Sequence, residues 1–428
     1  MPQNVIYIHA HDAGRYIQPY GAPAPTPNLQ RFAEDAVTFR AAFSASPACS
    51  PSRASLLTGQ WPHTAGMLGL ANFGFSMPDY SRHLVQRLAP HGVTSVLAGI
   101  QHVSPQVEPI GYDRVLTPHD LDPTADSATP IADAAVRYLA EADEQFFLDI
   151  GFIDAHRPYP ERTDEDARWV APPPPMPDTA ETRRDTAGHL ARLSDFDRAV
   201  GRVLDALVET GHLEDSIVIL TTDHGLAWPG MKMTLVDQGI GVFLMVRAPG
   251  PWQGGRVVDA LVSQVDLLPT IFDLLALPIP DDLDGVSLRP LVENGVEVRD
   301  AVFAETNFHV GYEPQRCVRT RRWKYIRRYL DRDAPLLAHV DPSITRDLFN
   351  ASGYLQQRYP SESLFDLVLD PYENDDVAET PEHVGVLAEF RERLHRWQVE
   401  TADPLLDGTI APPANVTVYD AEVWEPSW

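Results

Sequence analysis

The chain reads as an α/β protein: a large, mostly parallel sheet sandwiched by helices, followed by a smaller C-terminal α+β subdomain. Two patterns in its 428 residues carry that reading. Short apolar, β-branched runs alternate with stretches of helical periodicity through the first three hundred residues, the order expected of βαβ units. After residues 284–288 the composition shifts, and segments rich in Arg and aromatics take over. We place the division at residues 1–300 and 301–428.

In chain order, the expected strands are 5–8, 93–98, 146–152, 217–221 and 242–246. The expected helices are 28–34, 80–88, 129–142, 188–208 and 266–275. Between the first two strands lies a short helix signal, with Ser50 as N-cap, Pro51 at the first helical position and Gly59 as the stop. That places Cys49 at a helix N-terminus, where free N–H groups favour a thiolate or a bound anion and Arg53 adds a cation. The plain alternative is a free Cys packed as a small hydrophobe. Four consecutive prolines at 172–175 mark a rigid surface loop. Beyond residue 300, segments 302–305 and 316–329 read as antiparallel strands. Residues 381–397 read as a final helix with Thr380 as N-cap and Pro381 first. The tail, 411–428, has aromatics without periodicity and could wrap the domain or a partner subunit, so a homo-oligomer is an open alternative.

Composition narrows the function. With 34 Lys and Arg against 61 Asp and Glu, the formal charge is −27, which argues against nucleic acid or an anionic membrane as partner. An anionic substrate would need local cations and a metal. No run approaches the ~18 apolar residues of a membrane helix. Two distant cysteines, Cys49 and Cys317, give no disulfide framework. The N-terminus enters an apolar run without a basic start or a cleavage signal, so a cytoplasmic location is expected.

Four expected strands run into His-bearing polar segments: His9 to Asp12, Gln101-His102, Asp154 to His156, and Asp223-His224. In an open α/β sheet, groups beyond the carboxyl ends of strands face the ligand crevice, so four such segments imply one shared site. A single His is more often structural; the set is harder to explain that way. His11, Asp12, Asp223 and His224 form two pairs of candidate metal ligands, and a divalent ion there could offset charge on substrate oxygens.

Residues 46–60, Ser-Pro-Ala-Cys-Ser-Pro-Ser-Arg-Ala-Ser-Leu-Leu-Thr-Gly-Gln, strongly resemble the C-x-P-x-R signature of the type I sulfatases, in the alkaline phosphatase superfamily. That resemblance implies the alkaline-phosphatase-like fold. It also implies that a formylglycine-generating enzyme converts Cys49 to formylglycine, whose hydrate is the nucleophile. By the same resemblance Arg53 is the cation beside it, His102 bonds the hydrate, His156 serves the leaving group and Lys232 binds sulfate. His11, Asp12, Asp223, His224 and the group made from Cys49 would ligate one divalent ion. Calcium is the first expectation, with manganese or zinc as alternatives because His11 stands where the family usually has Asp. Ile100 replaces the lysine of the family's K-x-H. The words Gly66-Met67-Leu68-Gly69-Leu70 and His102-Val103-Ser104-Pro105 are similar to the sulfamidase, or heparan N-sulfatase, branch.

The expected function is hydrolysis of a sulfate ester or sulfamate, on a small anionic substrate such as a sulfated sugar. Phosphodiester or phosphonate monoester hydrolysis on the same fold is the alternative enzyme reading, and a non-catalytic anion-binding relative is the alternative outside catalysis. Trp61, His63, Asn72, Phe73, His309 and Arg316 are expected near the approach to the site, and Arg15 as a further anion contact.

Overall fold

The computed structural model describes residues 3–117 and 127–419. Its centre is an eight-stranded sheet. The strand order is Arg114–Val115, Thr94–Gly99, Phe146–Gly151, Asn4–Ala10, Ser216–Thr222, Leu244–Arg247, Val37–Phe39 and Arg256–Val258. The first five are mutually parallel; Leu244–Arg247 runs antiparallel to both neighbours. The architecture is therefore the alkaline-phosphatase-like α/β sandwich with a small antiparallel C-terminal sheet.

The strand Asn4–Ala10 explains why its sequence is apolar without alternation: every residue is buried, because both faces are covered. Val5 and Tyr7 pack with Leu56, Leu57, Leu267, Leu268 and Ile271 on one face. Ile6, Ile8 and Ala10 pack with Ile131, Ala135, Phe196, Val200 and Val203 on the other. Strand residues alternate in direction, so His9 and then His11 continue the face on which the helix Cys49–Thr58 lies.

That helix differs from expectation in its first turn. Ala48 is the N-cap in extended conformation and Cys49 is already helical, so Ser50 caps nothing and instead accepts a hydrogen bond from Ala71 N–H through Oγ. Gly59 ends the helix with φ +69°. The helix expected at 188–208 begins earlier, as Ala180–Glu209, because Thr179 and Thr182 form a reciprocal cap that starts it two turns upstream. The helix expected at 80–88 breaks at His83, which ends a 3-10 turn and caps Leu84–Leu88 by accepting Val85 N–H at Nδ1. At the C-terminal helix, Pro381–His383 is a 3-10 turn and the α-helix is Val384–Glu400.

The four-stranded antiparallel sheet runs Val302–Phe308, Tyr312–Arg319, Trp323–Arg328 and Glu362–Asp366. Helix Val384–Glu400 covers it with Leu387, Phe390, Leu394 and Trp397. Trp397 stacks on Phe303 at 5.0 Å and meets Trp61, just after the Cys49 helix, edge-on at 5.6 Å. Of the tail expected at 411–428, residues 420–428 lie outside the described residues. No helix among the described residues is long and apolar enough to cross a membrane.

His83 yields a stability prediction. Fully buried, it is pushed down to about 4 by desolvation, so the unfolded chain binds a proton that the native cap refuses. Its contribution is present above about pH 6.5 and is lost as pH falls towards 4, about 3 kcal/mol in all. His83→Asn, which retains a cap acceptor, should flatten the loss of chemical stability between pH 6.5 and 4 by close to one proton in slope. Denaturant titrations at stepped pH check it.

Candidate active site

The strands Thr94–Gly99, Phe146–Gly151, Asn4–Ala10 and Ser216–Thr222 are neighbours in the sheet and end side by side. Their continuations bring His102, His156, His11 with Asp12, and Asp223 with His224 together around Cys49. The His11 ring lies 5.6 Å from that of His102 and 5.9 Å from that of His156. Cys49 Sγ is 3.3 Å from His224 Nε2. Two of these side chains stand on left-handed backbone, Asp12 at φ +49° and His102 at φ +55°, a conformation that costs of order 1–3 kcal/mol and must be held by its surroundings. Asp223 Oδ1 holds the first, accepting the N–H groups of Asp12 at 3.0 Å and His224 at 2.9 Å. Gly225 lets residues 238–239 approach: a Cβ there would lie 1.8 Å from Gln238 O.

Arg53 is 1% exposed and is held through both of its Nη atoms. Its Nη2 donates to Ala10 O at 3.0 Å and to Asp223 Oδ2 at 3.1 Å. Its Nη1 donates to His9 Nδ1. Because guanidinium only donates, His9 Nδ1 is bare and the proton is on Nε2, which donates to Asp149 Oδ1 at 2.9 Å. Tyr112 donates to the other Asp149 oxygen at 2.5 Å. Burial and Arg53 together keep His9 below its ordinary pKa, hence neutral. His9, Asp149 and Tyr112 are positioning residues the sequence reading passed over. His9 was within reach of it, two residues before His11 on the same strand face; Asp149 and Tyr112 carry no motif. Ser52 and Gln264 similarly pin the helix to the strand end, Ser52 Oγ donating to Asp223 O and Gln264 Nε2 to Thr222 O.

The donor set around Asp12 and Asp223 fits a divalent cation. Asp12, Cys49, Asp223 and His224 offer ligand atoms within 4.8 Å of one another, all buried. His224 Nδ1 faces Gly225 O at 3.1 Å, where it donates its proton, leaving Nε2 bare. That bare nitrogen is 3.1 Å from Asp12 Oδ1, which has no hydrogen-bond donor. Two facing lone pairs call for a cation between them, a second proton on His224 or a metal ion. His11 lies beside this set, Nδ1 3.5 Å from Asp223 Oδ2, and neither of its ring nitrogens has a hydrogen-bond partner. It also groups with Cys49 and His102. Burial would raise the Asp223 carboxyl, but the positive charge around it, that of His224 in its protonated form and of Arg53, with the Asp12 N–H, holds it well below the carboxylate range.

The remaining groups divide by charge. Lys232 Nζ sits between Asp12 Oδ2 at 3.1 Å and Asp341 Oδ2 at 3.3 Å; against desolvation, these carboxylates hold it well above the usual range. Burial, then Arg53, pushes His102 down to about 3, so it is a neutral acceptor. His156 Nδ1 donates to Arg157 O at 2.6 Å, aiming Nε2 at Asp12 Oδ2, 3.6 Å away.

Several expectations are corrected. Cys49 is not poised as a thiolate: burial first, then Asp223, pushes the thiol well up, outweighing Lys232 and Arg53. Arg15 leaves the site; its Nη2 donates to Ala42 O at 2.6 Å and its guanidinium lies over Phe43. Trp61 and Arg316 are buried in the junction with the C-terminal sheet, Arg316 paired to Asp403 at 2.7 Å, and His63 pairs with Glu305. Asn72 is exposed. Of the approach residues, His309 stays near the site, depressed by burial, His339 and Lys232, with Phe73 edge-on at 6.5 Å. Asp341, from the C-terminal half, was missed; no local pattern marks it.

Comparison with known proteins follows this geometry. The profile of the family described as Sulfatase matches residues 3–277, and one described as N-sulphoglucosamine sulphohydrolase, C-terminal, matches residues 230–359. The chain is 30% identical to human N-sulphoglucosamine sulphohydrolase, covering 94% of this chain and 91% of that protein. It is 26% identical to a choline-sulfatase of Rhizobium meliloti, covering 88% and 83%. Among solved structures it is similar in fold to a 2-O glycosaminoglycan sulfatase, TM-score 0.73 at 20% identity, covering 97% and 96% of the chains. A second, in complex with D-glucosamine-2-N,6-O-disulfate, has TM-score 0.74 at 18% identity, covering 96% and 100%.

The facing lone pairs predict metal dependence of stability. The wild-type chain should retain a divalent ion through desalting and melt lower after chelation, with about 2.7 kcal/mol restored at a hundredfold excess of ion over Kd. Asp223→Ala should lose both the ion and its stabilising effect. Elemental analysis alongside thermal melts reads both, and equal loading of the two proteins would remove Asp223 from the site.

Proposed function

The chain belongs to the sulfatase family and is a sulfuric ester hydrolase; from that premise we propose that it cleaves a sulfamate or sulfate ester on an amino sugar, using a formylglycine made from Cys49 and one divalent ion. The observation that carries the proposal is the gathering of Cys49, at the first turn of a buried helix, with Asp12, Asp223, His224 and Lys232. The human relative's name supplies the substrate class.

Hydrated formylglycine supplies a geminal diol in place of a thiol that burial keeps protonated. Asp12, Asp223, His224 and His11 would hold the ion, which would supply positive charge against the sulfate oxygens; His11 makes a metal softer than calcium, such as manganese, a reasonable occupant. The chain's own residues do the rest. Arg53, held by His9, Ala10 O and Asp223, acts as a fixed charge beside residue 49. Lys232 binds a sulfate oxygen by releasing part of its hold on the two carboxylates. His156, with Nδ1 anchored on a carbonyl, delivers a proton from Nε2 to the departing oxygen or nitrogen. His102, neutral and grouped with Cys49 and His11, takes a proton from the residue 49 hydroxyl so that sulfate can leave.

Charge sets the substrate preference. Asp12, Asp223 and Asp341 face two fixed cations, Arg53 and Lys232, while the buried His11 and His102 are neutral. A divalent ion turns this balance to one net positive charge, and the proton that His156 carries goes to the departing atom, so the charge left for the transferred group matches a sulfate monoanion and falls short of a phosphate monoester dianion. Ile100, buried at 8% exposure where the resemblance to the family's K-x-H puts a lysine, is the missing cation.

Two measurements check the proposal. Mass spectrometry of the Cys49 peptide from the native host should show aldehyde; unmodified thiol would overturn the formylglycine step. In kcat/KM, nitrophenyl sulfate should exceed nitrophenyl phosphate, and Ile100→Lys should narrow the gap by about tenfold, a change of ~1.4 kcal/mol. A wild type that favours the phosphate monoester would sink the charge argument, and a wide preference for a phosphate diester would favour the diesterase reading.

A further inference from the structure

We propose that Asp341 selects the leaving group, its carboxylate accepting a hydrogen bond from an O–H or N–H donor that the substrate carries beside its sulfated atom. The inference rests on the sulfatase reading above and narrows it to substrates with a vicinal donor, as hydroxylated and amino sugars have and simple aryl sulfates lack.

Asp341 arrives from outside the parallel sheet and faces the same space as the proton-delivering His156: ligand atoms of Asp12, His156 and Asp341 lie within 4.8 Å of one another. Unlike Asp12, whose side chain is fully buried, Asp341 and His156 are partly open, at 16% and 21% side-chain exposure. These two therefore border the mouth on the side where a leaving group must lie. Only one Asp341 oxygen is engaged, Oδ2 with Lys232 Nζ; Oδ1 has no hydrogen-bond donor among the described residues. Against desolvation, Lys232, His156 and Arg157 keep the carboxyl ionised, and an ionised carboxylate only accepts.

A carboxylate this close to a sulfate-binding lysine opposes the substrate's charge and competes for its cation. Steadying Lys232 does not require it, because Asp12 already holds that ammonium at 3.1 Å. The arrangement favours catalysis only if the substrate returns a contact, and a carboxylate with one oxygen free, within reach of His156, specifies a donor on the carbon next to the one that bears the atom His156 protonates. His309, buried nearby with Nδ1 unpartnered, leaves a polar wall for the same group.

The test uses matched probes differing in one hydroxyl: cyclohexyl sulfate and trans-2-hydroxycyclohexyl sulfate, and the corresponding sulfamates, with the metal-loaded, modified enzyme. Wild type should prefer the hydroxylated member by at least about tenfold in kcat/KM, the range for one hydrogen bond to a charged group. Asp341→Ala should bring that ratio close to one, and Asp341→Asn, which keeps an uncharged acceptor, should retain part of it; Asp341→Ser substitutes if the alanine variant does not fold. Equal loss on both members of a pair would make Asp341 a support for Lys232 only, and an indifferent wild type would overturn the proposal directly. Failure of wild type to hydrolyse any of the four would instead overturn the sulfate-cleaving reading, and this inference with it.

Discussion

The Asp223 carboxylate is the joint on which the site depends. One oxygen accepts the N–H groups of Asp12 and His224; the other accepts Arg53 and lies beside His11. A single group thus ties two strand ends to each other and both to the helix that begins at Cys49. Leaving such a charge buried without partners would cost several kcal/mol, so the partners are obligatory, and each is itself a functional candidate or its backbone. The left-handed turn at Asp12 follows from the same demand: its N–H must point at Asp223 while its side chain points at Lys232 and His224.

From this joint the order of the surrounding groups follows. Arg53 cannot leave Asp223, so its remaining Nη capacity goes to Ala10 O and His9, and His9 passes the constraint to Asp149. Asp149 lies on the strand paired in register with Asn4–Ala10, so the chain of contacts runs across the sheet rather than along one loop. Its effect is to fix a cation near residue 49. The same cation adds to burial in depressing His102 and His11, which leaves His102 a neutral proton acceptor.

The central strands, the buried helix after Cys49 and the histidines and aspartates at the strand ends were legible because each is a local signal: an apolar run of strand length, a proline–glycine bracket, a polar cluster just past a run. What escaped depends on distance in sequence. Asp149 looks like any charged residue inside an apolar run, and only the register with Tyr7 makes it a partner for His9. Asp341 lies 109 residues beyond Lys232 in a segment without periodicity. The thiolate expected at Cys49 failed for an energetic reason: a helix N-terminus and two cations favour the anion, but complete burial and two carboxylates cost more. Trp61 and Arg316 misled for the opposite reason, since aromatic and arginine side chains serve a buried junction as readily as a pocket.

That junction explains how a residue from the C-terminal half can be placed accurately in a site built on the parallel sheet. Among the charged contacts that cross it are Glu305 to His63, Asp237 to Lys324 and Arg319, and Asp341 to Lys232. Buried pairs add little net stability against their desolvation cost, yet separating one strands both charges. The junction therefore resists opening far more than its net stability implies, and the apolar stack of Trp61, Trp397 and Phe303 excludes the water that would soften it. Lys232 is the point where this rigidity meets chemistry: it is held by Asp12 on the sheet side and Asp341 on the other, and these two carboxylates together keep it charged in a desolvated place, within reach of a substrate oxygen.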